Sequence, residues 1–589
     1  MGVGMVFLSP QSDGPRPAPA ALGRPYLPNV WDALAFCLLA GLVVVIAHGG
    51  AQFDRPLSAL QAAPVQLELA RLPGYAALTT LRMFAALAAS LLFTFVVATL
   101  AAKSRKAELV IVPCLDILQS VPVLGFLTFT VTFFMDLFPN RELGLECASI
   151  FAIFTAQAWN MTFSMYQSMR TLPAELDEAS RMYGLSAWKR FWRLELPFAM
   201  PGLIWNMMMS MSGAWFFVVA SEAITVRGQT VALPGIGSWL SVAIDRRDFA
   251  AVAWAVIAMI VVILLYDQVL FRPIVAWADK FRFEVTASSP PPRSWLYDAL
   301  RRTRLFRFIR QKAETLTQRV SSLGGARPRA RRFRPEPNPA LDRRIDQAWL
   351  ALVVVLAAFG AFAVAHYVAG HLSWRDILTA FGLGVLTLIR VLVLIALASL
   401  IWVPVGVWIG LRPAWAERVQ ALAQILAAFP ANVLFPFAVI AIVSLKLDPN
   451  IWLSPLMVLG TQWYILFNVI AGASALPGDL REAAAVYRLT SWTWWRNFAL
   501  PGIFPFYVTG ALTASGGSWN ASIVAEVASW GNTKVEAAGL GSFIADATAK
   551  GDAARVIAGV AVMSVFVIGM NRTLWRPLYA LAERRFRLN

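Results

Sequence analysis

Two arginine–glutamate pairs lie within strongly apolar stretches of the chain. A charged side chain in such a stretch either forms an ion pair or has a role in function. Arg82 and Glu222 form the first candidate pair, and Arg390 and Glu526 form the second. Two interpretations are open for these residues of a gate or translocation pathway: the arginines attract an anion, or each arginine forms an ion pair with its glutamate and braces the outer gate. We expect the ion pairs, because an unpaired glutamate at similar depth would oppose the passage of an anion.

A second repeated pattern combines a carboxylate, small residues and a proline on polar segments between the apolar stretches. Its two copies share one spacing and comprise Glu178, Ala179, Gly184, Leu196 and Pro197, and Glu482, Ala483, Ala484, Arg488, Leu500 and Pro501. In each copy the proline follows the glutamate by nineteen residues, and the copies lie 304 residues apart. Acidic residues favour the start of a helix, and proline interrupts one. We predict two short helical hairpins, each with a proline that stops or kinks its second helix; the alternative is an ordinary basic loop.

No pattern in the sequence indicates catalysis or metal binding. The phosphate-binding motif Gly-x-x-x-x-Gly-Lys-Ser/Thr is absent. The cysteines and histidines lack the spacing of a metal site and stand at Cys37, Cys114, Cys147, His48, His366 and His371. We therefore expect that this chain is not an enzyme and holds no cofactor or metal.

The composition places these residues in a membrane protein. The 589 residues are 58% hydrophobic and 14% charged, and the mean hydropathy is +0.61. A soluble chain of this length would need more charge to cover its surface. The net charge of +17 does not indicate nucleic-acid binding, because the basic residues collect in loops and one linker without a pattern of stacking aromatic residues.

Apolar segments long enough to cross a bilayer, which takes roughly 20 residues, occur twelve times. We place six spans in each half of the chain, near 30–48, 77–101, 110–135, 148–169, 201–223 and 250–270, and near 347–368, 380–409, 422–445, 452–473, 503–526 and 555–574. Several are interrupted by proline or glycine, and the third of each half could begin as a piece that does not span.

Basic loop residues orient these spans. Lys103 follows the second span and Arg193 the fourth, and the chain ends on a basic segment, so both termini are expected in the cytoplasm. The apolar spans predict a cell-membrane location, and a bacterial inner membrane is the hypothesis we adopt. Residues 1–29 are expected to form a cytoplasmic tail. Residues 281–345, with the basic run 327–334, are expected to form a cytoplasmic linker that contacts anionic lipid.

An internal repeat defines the architecture. At a constant offset of 304 residues, Trp215 aligns with Trp519 and Glu222 with Glu526, without a gap across roughly 110 residues. Upstream the offset is 308, and Arg82 then aligns with Arg390. We predict an all-α membrane protein with two tandem homologous halves of about six helices each, residues 30–280 and 346–589, related by a pseudo-twofold axis.

The two polar hairpins resemble a known family pattern. A loop with Glu-Ala-Ala, a glycine six residues after the glutamate and then Leu-Pro is similar to the coupling loop of binding-protein-dependent ABC importer permeases. Arg488 stands at the glycine position, which leaves open whether the second hairpin turns like the first. The segment from Trp463 to Gly541 resembles the nitrate, taurine and sulfonate branch of these permeases, and the tandem halves resemble a fused, duplicated permease.

This resemblance implies a function and partners. The chain would be the permease of an ATP-driven importer for a small anion such as nitrate, taurine, a sulfonate or bicarbonate. ATP would bind to separate ATPase subunits, in two copies, that dock on the hairpins, and an extracytoplasmic solute-binding protein would deliver the solute. The alternatives are a secondary transporter driven by an ion gradient, with the acidic candidates Asp116, Glu222, Asp267 and Glu526, and a structural or signalling membrane protein.

Overall fold

The computed structural model describes most of both halves of the chain. It covers residues 65–120, 123–226, 229–281, 294–302, 339–412, 431–474, 478–531 and 533–585, together with Pro56, Leu476 and a few single positions between 415 and 429. The predicted tail, the predicted span 30–48 and most of the linker lie outside the described residues.

The described residues of the first half form eight helices and one β-hairpin. In chain order they are α1 (Leu72–Lys103), α2 (Arg105–Ser120), α3 (Val123–Leu137), α4 (Leu143–Arg170), α5 (Ala174–Met182), α6 (Ala187–Glu222), β1 (Ala223–Val226), β2 (Gln229–Ala232), α7 (Ile236–Asp245) and α8 (Phe249–Ala278). A short helix, α9 (Trp295–Arg302), belongs to the linker region.

The described part of the second half follows a similar order, with a long helix before the counterpart of α1 and three shorter helices in place of α4. Its elements are α10 (Pro339–His371), α11 (Trp374–Gly410), α12 (Ala431–Ser444), α13 (Pro449–Trp452), α14 (Leu456–Leu459), α15 (Gln462–Ser474), α16 (Gly478–Val486), α17 (Ser491–Ala525), β3 (Val527–Trp530), β4 (Thr533–Glu536), α18 (Leu540–Lys550) and α19 (Ala553–Ala582). The predicted all-α architecture of two tandem halves is confirmed, apart from two short β-hairpins.

Seven helices among the described residues are long and apolar enough to cross a membrane, and the bent pair 449–459 and 462–474 raises the number to eight. The predicted span 110–135 is divided between α2 and α3. The predicted span 148–169 lies within α4, whose buried Thr155, Gln157 and Thr162 make it more polar than the other long helices. Polar side chains inside such a helix are acceptable where they face other helices rather than lipid.

The all-α prediction missed two small β-hairpins. Strands β1 and β2 pair antiparallel, as do β3 and β4, and each hairpin follows a long helix that ends at the buried Glu222 or directly before the buried Glu526. Each hairpin turns the chain back toward a short helix, α7 or α18. Leu233 and Ala537 close this turn by donating their backbone N–H groups to the carbonyl oxygens of Glu222 and Glu526, both at 2.9 Å.

The prolines of the repeated motif do not stop their helices, so of the two predicted effects, a stop or a kink, only the kink stays a prediction. Helix α6 runs through Pro197, and α17 runs through Pro501. A wide π-turn comes directly before each proline, at Phe191–Glu195 and Trp495–Ala499. A proline in regular α geometry would clash with the carbonyl four residues earlier, and the widened turn lets the helix continue past it.

One set of contacts between the halves lies at the end of the molecule away from α5 and α16. Gly531 donates its backbone N–H to the carbonyl of Ile244 at 3.1 Å, and Arg247 Nη2 donates to Thr533 Oγ1 at 3.1 Å. The rings of Phe249 and Trp530 lie 4.6 Å apart. Strand β3 and its turn are thus held by the corner between α7 and α8 of the other half.

Candidate functional site

The first arginine–glutamate pair is part of a completely buried charge cluster. Arg82, on α1, donates from Nη1 to Glu222 Oε1 at 2.7 Å and to the Pro234 carbonyl at 2.9 Å. It also donates from Nε and Nη2 to the two carboxylate oxygens of Glu146, at 2.6 and 2.5 Å. The predicted Arg82–Glu222 contact is therefore confirmed, and every nitrogen of the guanidinium group is used within the protein.

The carboxylate of Glu222 is held by the start of α7. It accepts hydrogen bonds from Thr79 Oγ1 and from the backbone N–H of Gly237, both at 2.6 Å. Thr79 in turn accepts from the backbone N–H of Ile236 at 2.9 Å. Gly235 permits this approach, since a Cβ atom there would lie 2.3 Å from the carboxylate. The first turn of a helix suits an anion because its N–H groups are unpaired.

The second cluster repeats this geometry with fewer charges. Arg390 Nη1 donates to Glu526 Oε1 at 3.1 Å and to the Ala538 carbonyl at 2.8 Å, which confirms the second predicted pair. Thr387 Oγ1 donates to Glu526 Oε1 at 2.8 Å. Arg390 Nη2 donates to Asn450 Oδ1 at 3.3 Å. An amide oxygen therefore stands where the first cluster has a second carboxylate.

Glu146 and Asn450 make the two clusters unequal in charge. These residues are separated by the same 304 positions as the rest of the repeat. The first cluster holds one cation and two anions, whereas the second holds one of each. The side chain of Arg82 is 0% exposed and that of Arg390 is 13% exposed. Sequence reasoning missed Glu146, which lies only two residues before the predicted span 148–169. This places it near the same side of the membrane as Arg82, which lies near the start of the span 77–101.

The first repeated polar motif forms the predicted hairpin, with α5 followed by the start of α6. The helix ends in a Schellman motif: Leu185 donates its N–H to the Ser180 carbonyl at 3.1 Å, and Gly184 donates to the Arg181 carbonyl at 3.0 Å. Gly184 has a φ of +63°, the left-handed conformation that glycine adopts most easily at this position.

The second hairpin has the same turn, although arginine replaces the glycine. Arg488 has a φ of +50°. Leu489 donates to the Ala484 carbonyl and Arg488 to the Ala485 carbonyl, both at 3.0 Å. The departure from the glycine pattern thus leaves the fold of the turn intact and places a non-glycine residue in a strained conformation.

The motif residues divide into exposed and buried groups. Glu178 and Glu482 are exposed, and so are the residues that end each first helix, with Met182 88% and Val486 79% exposed. Leu196 is buried in α6 and supports the hairpin from behind. The remaining motif positions are exposed or half-buried apart from the buried Ala484, and comprise Ala179, Gly184, Pro197, Ala483, Arg488, Leu500 and Pro501.

A comparison with protein families matches both halves. The family described as "Binding-protein-dependent transport system inner membrane component" matches residues 90–271 and again residues 402–585. The first match lies within 30–280 and the second within 346–589, and each includes one hairpin and one buried glutamate.

Individual relatives are similar over a smaller part of the chain. A nitrate import permease protein of Synechocystis is 26% identical over 192 residues, which cover 32% of this chain and 66% of the relative. A glycine betaine/carnitine transport permease protein of Listeria monocytogenes is 27% identical over 169 residues, or 28% and 54%. A bicarbonate transport system permease protein of Synechococcus elongatus is 27% identical over 176 residues, or 30% and 59%. The matched regions thus span between half and two thirds of these relatives.

Proposed function

The chain belongs to the family of binding-protein-dependent transport system inner membrane components, and from this premise we propose that it carries both permease halves of an ATP-driven importer for a small anion. ATP would be hydrolysed by separate subunits that dock on the two hairpins. The hairpins would face the cytoplasm, with both chain termini on the same side of a bacterial inner membrane, as the basic loops indicate.

The observation that carries this proposal is the likeness of the two exposed hairpin surfaces. Glu178 and Glu482 occupy equivalent positions, as do the exposed Tyr183 and Tyr487. Each pair is presented by a short helix that ends in the same left-handed turn. Two similar surfaces on one chain fit two copies of one partner, which supports docking of two ATPase subunits.

The geometry of the acidic residues does not favour transport driven by an ion gradient. A proton relay needs carboxylates that are free to change their charge during transport. Glu222 and Glu526 are each held by an arginine, a threonine and backbone N–H groups. Asp267 accepts a hydrogen bond from Arg272 at 3.1 Å. These carboxylates are committed to structural contacts.

Small anions are the proposed solutes because two of the relatives above carry nitrate and bicarbonate in their names. The glycine betaine/carnitine permease is similar to this chain to about the same degree. A zwitterion is therefore the alternative substrate to test alongside the anions. Arg82 is completely buried and donates four hydrogen bonds within the protein, and Arg390 is paired with Glu526, so we assign both arginine clusters to bracing the end of the membrane domain opposite the hairpins. A solute-binding protein on that side would deliver the anion.

Copurification followed by transport assays tests the proposal. The tagged chain is purified from its own host, and the captured subunits are examined for ATP hydrolysis. The complex is then placed in lipid vesicles with its binding protein, and uptake of nitrate, bicarbonate and glycine betaine is measured with and without ATP. ATP-dependent uptake of an anion is the expected result. Uptake that follows an imposed proton gradient without ATP would contradict it.

A further inference from the structure

A chain of ion pairs connects the first hairpin to helix α1. Asp177, in the first turn of α5, contacts Arg190 Nη1 at 2.7 Å. Arg190 Nε contacts Glu195 Oε1 at 2.8 Å, and Lys103 Nζ contacts Glu195 Oε2 at 2.8 Å. Because Lys103 is the last residue of α1, these contacts connect the hairpin to a long membrane helix that is remote from it in sequence.

Glu195 is the central member of this chain of ion pairs. It lies in the π-turn of α6, its side chain is only 3% exposed, and it has a cation on each side. Lys103 Nζ also lies 5.5 Å from the centre of the Phe191 ring. A buried carboxylate that bridges two cations resists displacement, because removing either partner leaves part of its charge uncompensated.

The second hairpin has no such chain at the equivalent positions. The repeat places Leu411 at the position of Lys103, Trp494 at that of Arg190, and Ala499 at that of Glu195. The ring of Trp494 packs instead against Trp495 and Phe498, at 5.3 and 5.4 Å between ring centres. The exposed surfaces of the two hairpins are alike. The contacts beneath them differ, because the first hairpin is held by ion pairs and Trp494 of the second makes aromatic contacts.

Helix α1 joins this ion-pair chain to the buried charge cluster at the opposite end of the first half. Lys103 and Arg82 lie on the same helix, separated by roughly 30 Å along its axis. Movement of the first hairpin would therefore act directly on the helix that holds Arg82. In the second hairpin, Arg481 Nη2 donates a hydrogen bond to the Ala473 carbonyl at 3.2 Å, and Trp494 makes aromatic contacts. Aromatic contacts slide past one another more easily than paired charges.

We propose that Glu195 is a positioning residue that fixes the first hairpin to α1, so that the two halves respond unequally to the ATPase subunits. This inference rests on the proposed docking role of the hairpins. It assigns to the first hairpin the tighter mechanical connection, and to Glu195 a function that Ala499 does not have in the second.

Spin labels at the hairpin tips test the rigidity directly. Cys37, Cys114 and Cys147 are replaced by serine, and a single cysteine is introduced as Met182→Cys or as Val486→Cys, both highly exposed sites. Each protein is compared with its Glu195→Gln form in lipid nanodiscs. We expect Glu195→Gln to produce a mobile component in the spectrum at Met182→Cys and no change at Val486→Cys. An equal change at both sites, or at neither, would overturn the proposal.

Two further variants guard against unspecific effects. Arg193→Gln removes a neighbouring exposed charge outside the ion-pair chain and is expected to leave both spectra unchanged. If Glu195→Gln does not yield folded protein, Lys103→Met breaks the same connection at a side chain that is 32% exposed, and it carries the same expectation.

Coupling measurements then separate this inference from the proposed function. In vesicles with ATPase subunits, Glu195→Gln is expected to weaken subunit capture roughly three- to fivefold and to raise the ATP hydrolysed per solute transported, while Arg193→Gln does neither. A wild-type chain that captures no ATPase would overturn the proposed function and, with it, the coupling role of Glu195. Normal capture and coupling in Glu195→Gln would overturn the inference alone.

Discussion

Gly184 and Arg488 occupy the same left-handed turn at the ends of α5 and α16, with φ angles of +63° and +50°. The two turns share the same pair of backbone hydrogen bonds. The local hydrogen bonding therefore determines the conformation, and the residue type determines only its energetic cost.

Replacement of Arg488 by glycine should stabilise the protein. Arg488→Gly relieves the left-handed strain of a non-glycine residue, which we expect to increase the free energy of unfolding by ~1 kcal/mol. Thermal unfolding in detergent measures the effect. The matched control is Gly184→Ala, which creates the strain in the first hairpin, where no atom lies within 4 Å of the added Cβ, and should lower the unfolding temperature. A destabilised Arg488→Gly protein would show that the arginine side chain contributes more than its backbone costs.

Loss of Arg82 should be more damaging than loss of Arg390. Arg82→Leu leaves two buried carboxylates without their cation, and we expect a cost of about 3–5 kcal/mol. Arg390→Leu leaves one carboxylate next to a neutral amide, in a cluster that is partly exposed. Fluorescence-detected size exclusion measures the yield of folded protein. The combination of Arg82→Leu, Glu146→Gln and Glu222→Gln should recover part of the yield, and a triple variant worse than the single one would contradict mutual compensation.

An added methyl group at Gly235 should disturb the first cluster. In Gly235→Ala the Cβ atom would meet the carboxylate of Glu222 at 2.3 Å, and three hydrogen-bond donors prevent that carboxylate from moving. We expect a marked fall in the unfolding temperature. Gly516→Ala is the control, since its Cβ meets nothing within 4 Å and alanine favours a helix. Equal stability of the two variants would disprove the tight fit.

The aromatic contact between the halves should be measurable as a coupling energy. Phe249 and Trp530 have ring centres 4.6 Å apart, and a close aromatic pair contributes about 0.5–1.5 kcal/mol beyond its buried area. Thermal unfolding of Phe249→Ala, Trp530→Ala and the double variant gives this energy from a double-mutant cycle. Strictly additive effects would show that the halves do not interact through this pair.

Charge reversal on the exposed hairpin surfaces tests docking. Glu178→Lys combined with Glu482→Lys should reduce capture of the ATPase subunits and abolish ATP-dependent uptake, with little change in unfolding temperature because both side chains are exposed. Glu175→Gln, also exposed on α5, is a milder comparison that neutralises one charge. Unchanged capture by the double variant would remove these glutamates from the docking surface.

The sequence predicted the parts of the site that both halves share. Arg82 and Glu222 could be recognised because a charged pair recurs at one spacing in apolar surroundings. Glu146 could not, since Asn450 takes its place in the second half and the repeat gives no signal for a carboxylate there. Helix α4 also begins five residues before the predicted start at 148, so Glu146 lies outside the predicted span.

Local geometry explains the remaining differences. Proline has a strong general tendency to end a helix, but the widened turns before Pro197 and Pro501 depend on backbone adjustments that residue types do not indicate. The β-hairpins have strands of only four residues, too short to stand out beside an apolar helix. Arg488 could not be predicted for a similar reason. Glycine is the preferred residue in a left-handed turn, but the hydrogen bonds that close this turn hold arginine in the same conformation.

The covalent connection of the halves has a consequence for their evolution. In a dimer of identical chains every substitution occurs twice, and a residue must suit both copies. Here Arg247, at φ +56°, and Gly551, at φ +70°, hold equivalent left-handed turns, the reverse of the distribution of arginine and glycine at positions 488 and 184. Because the halves are encoded separately, one half can change a residue that the other retains. A saturation mutagenesis map of the full chain should therefore show different tolerance to substitution at equivalent positions.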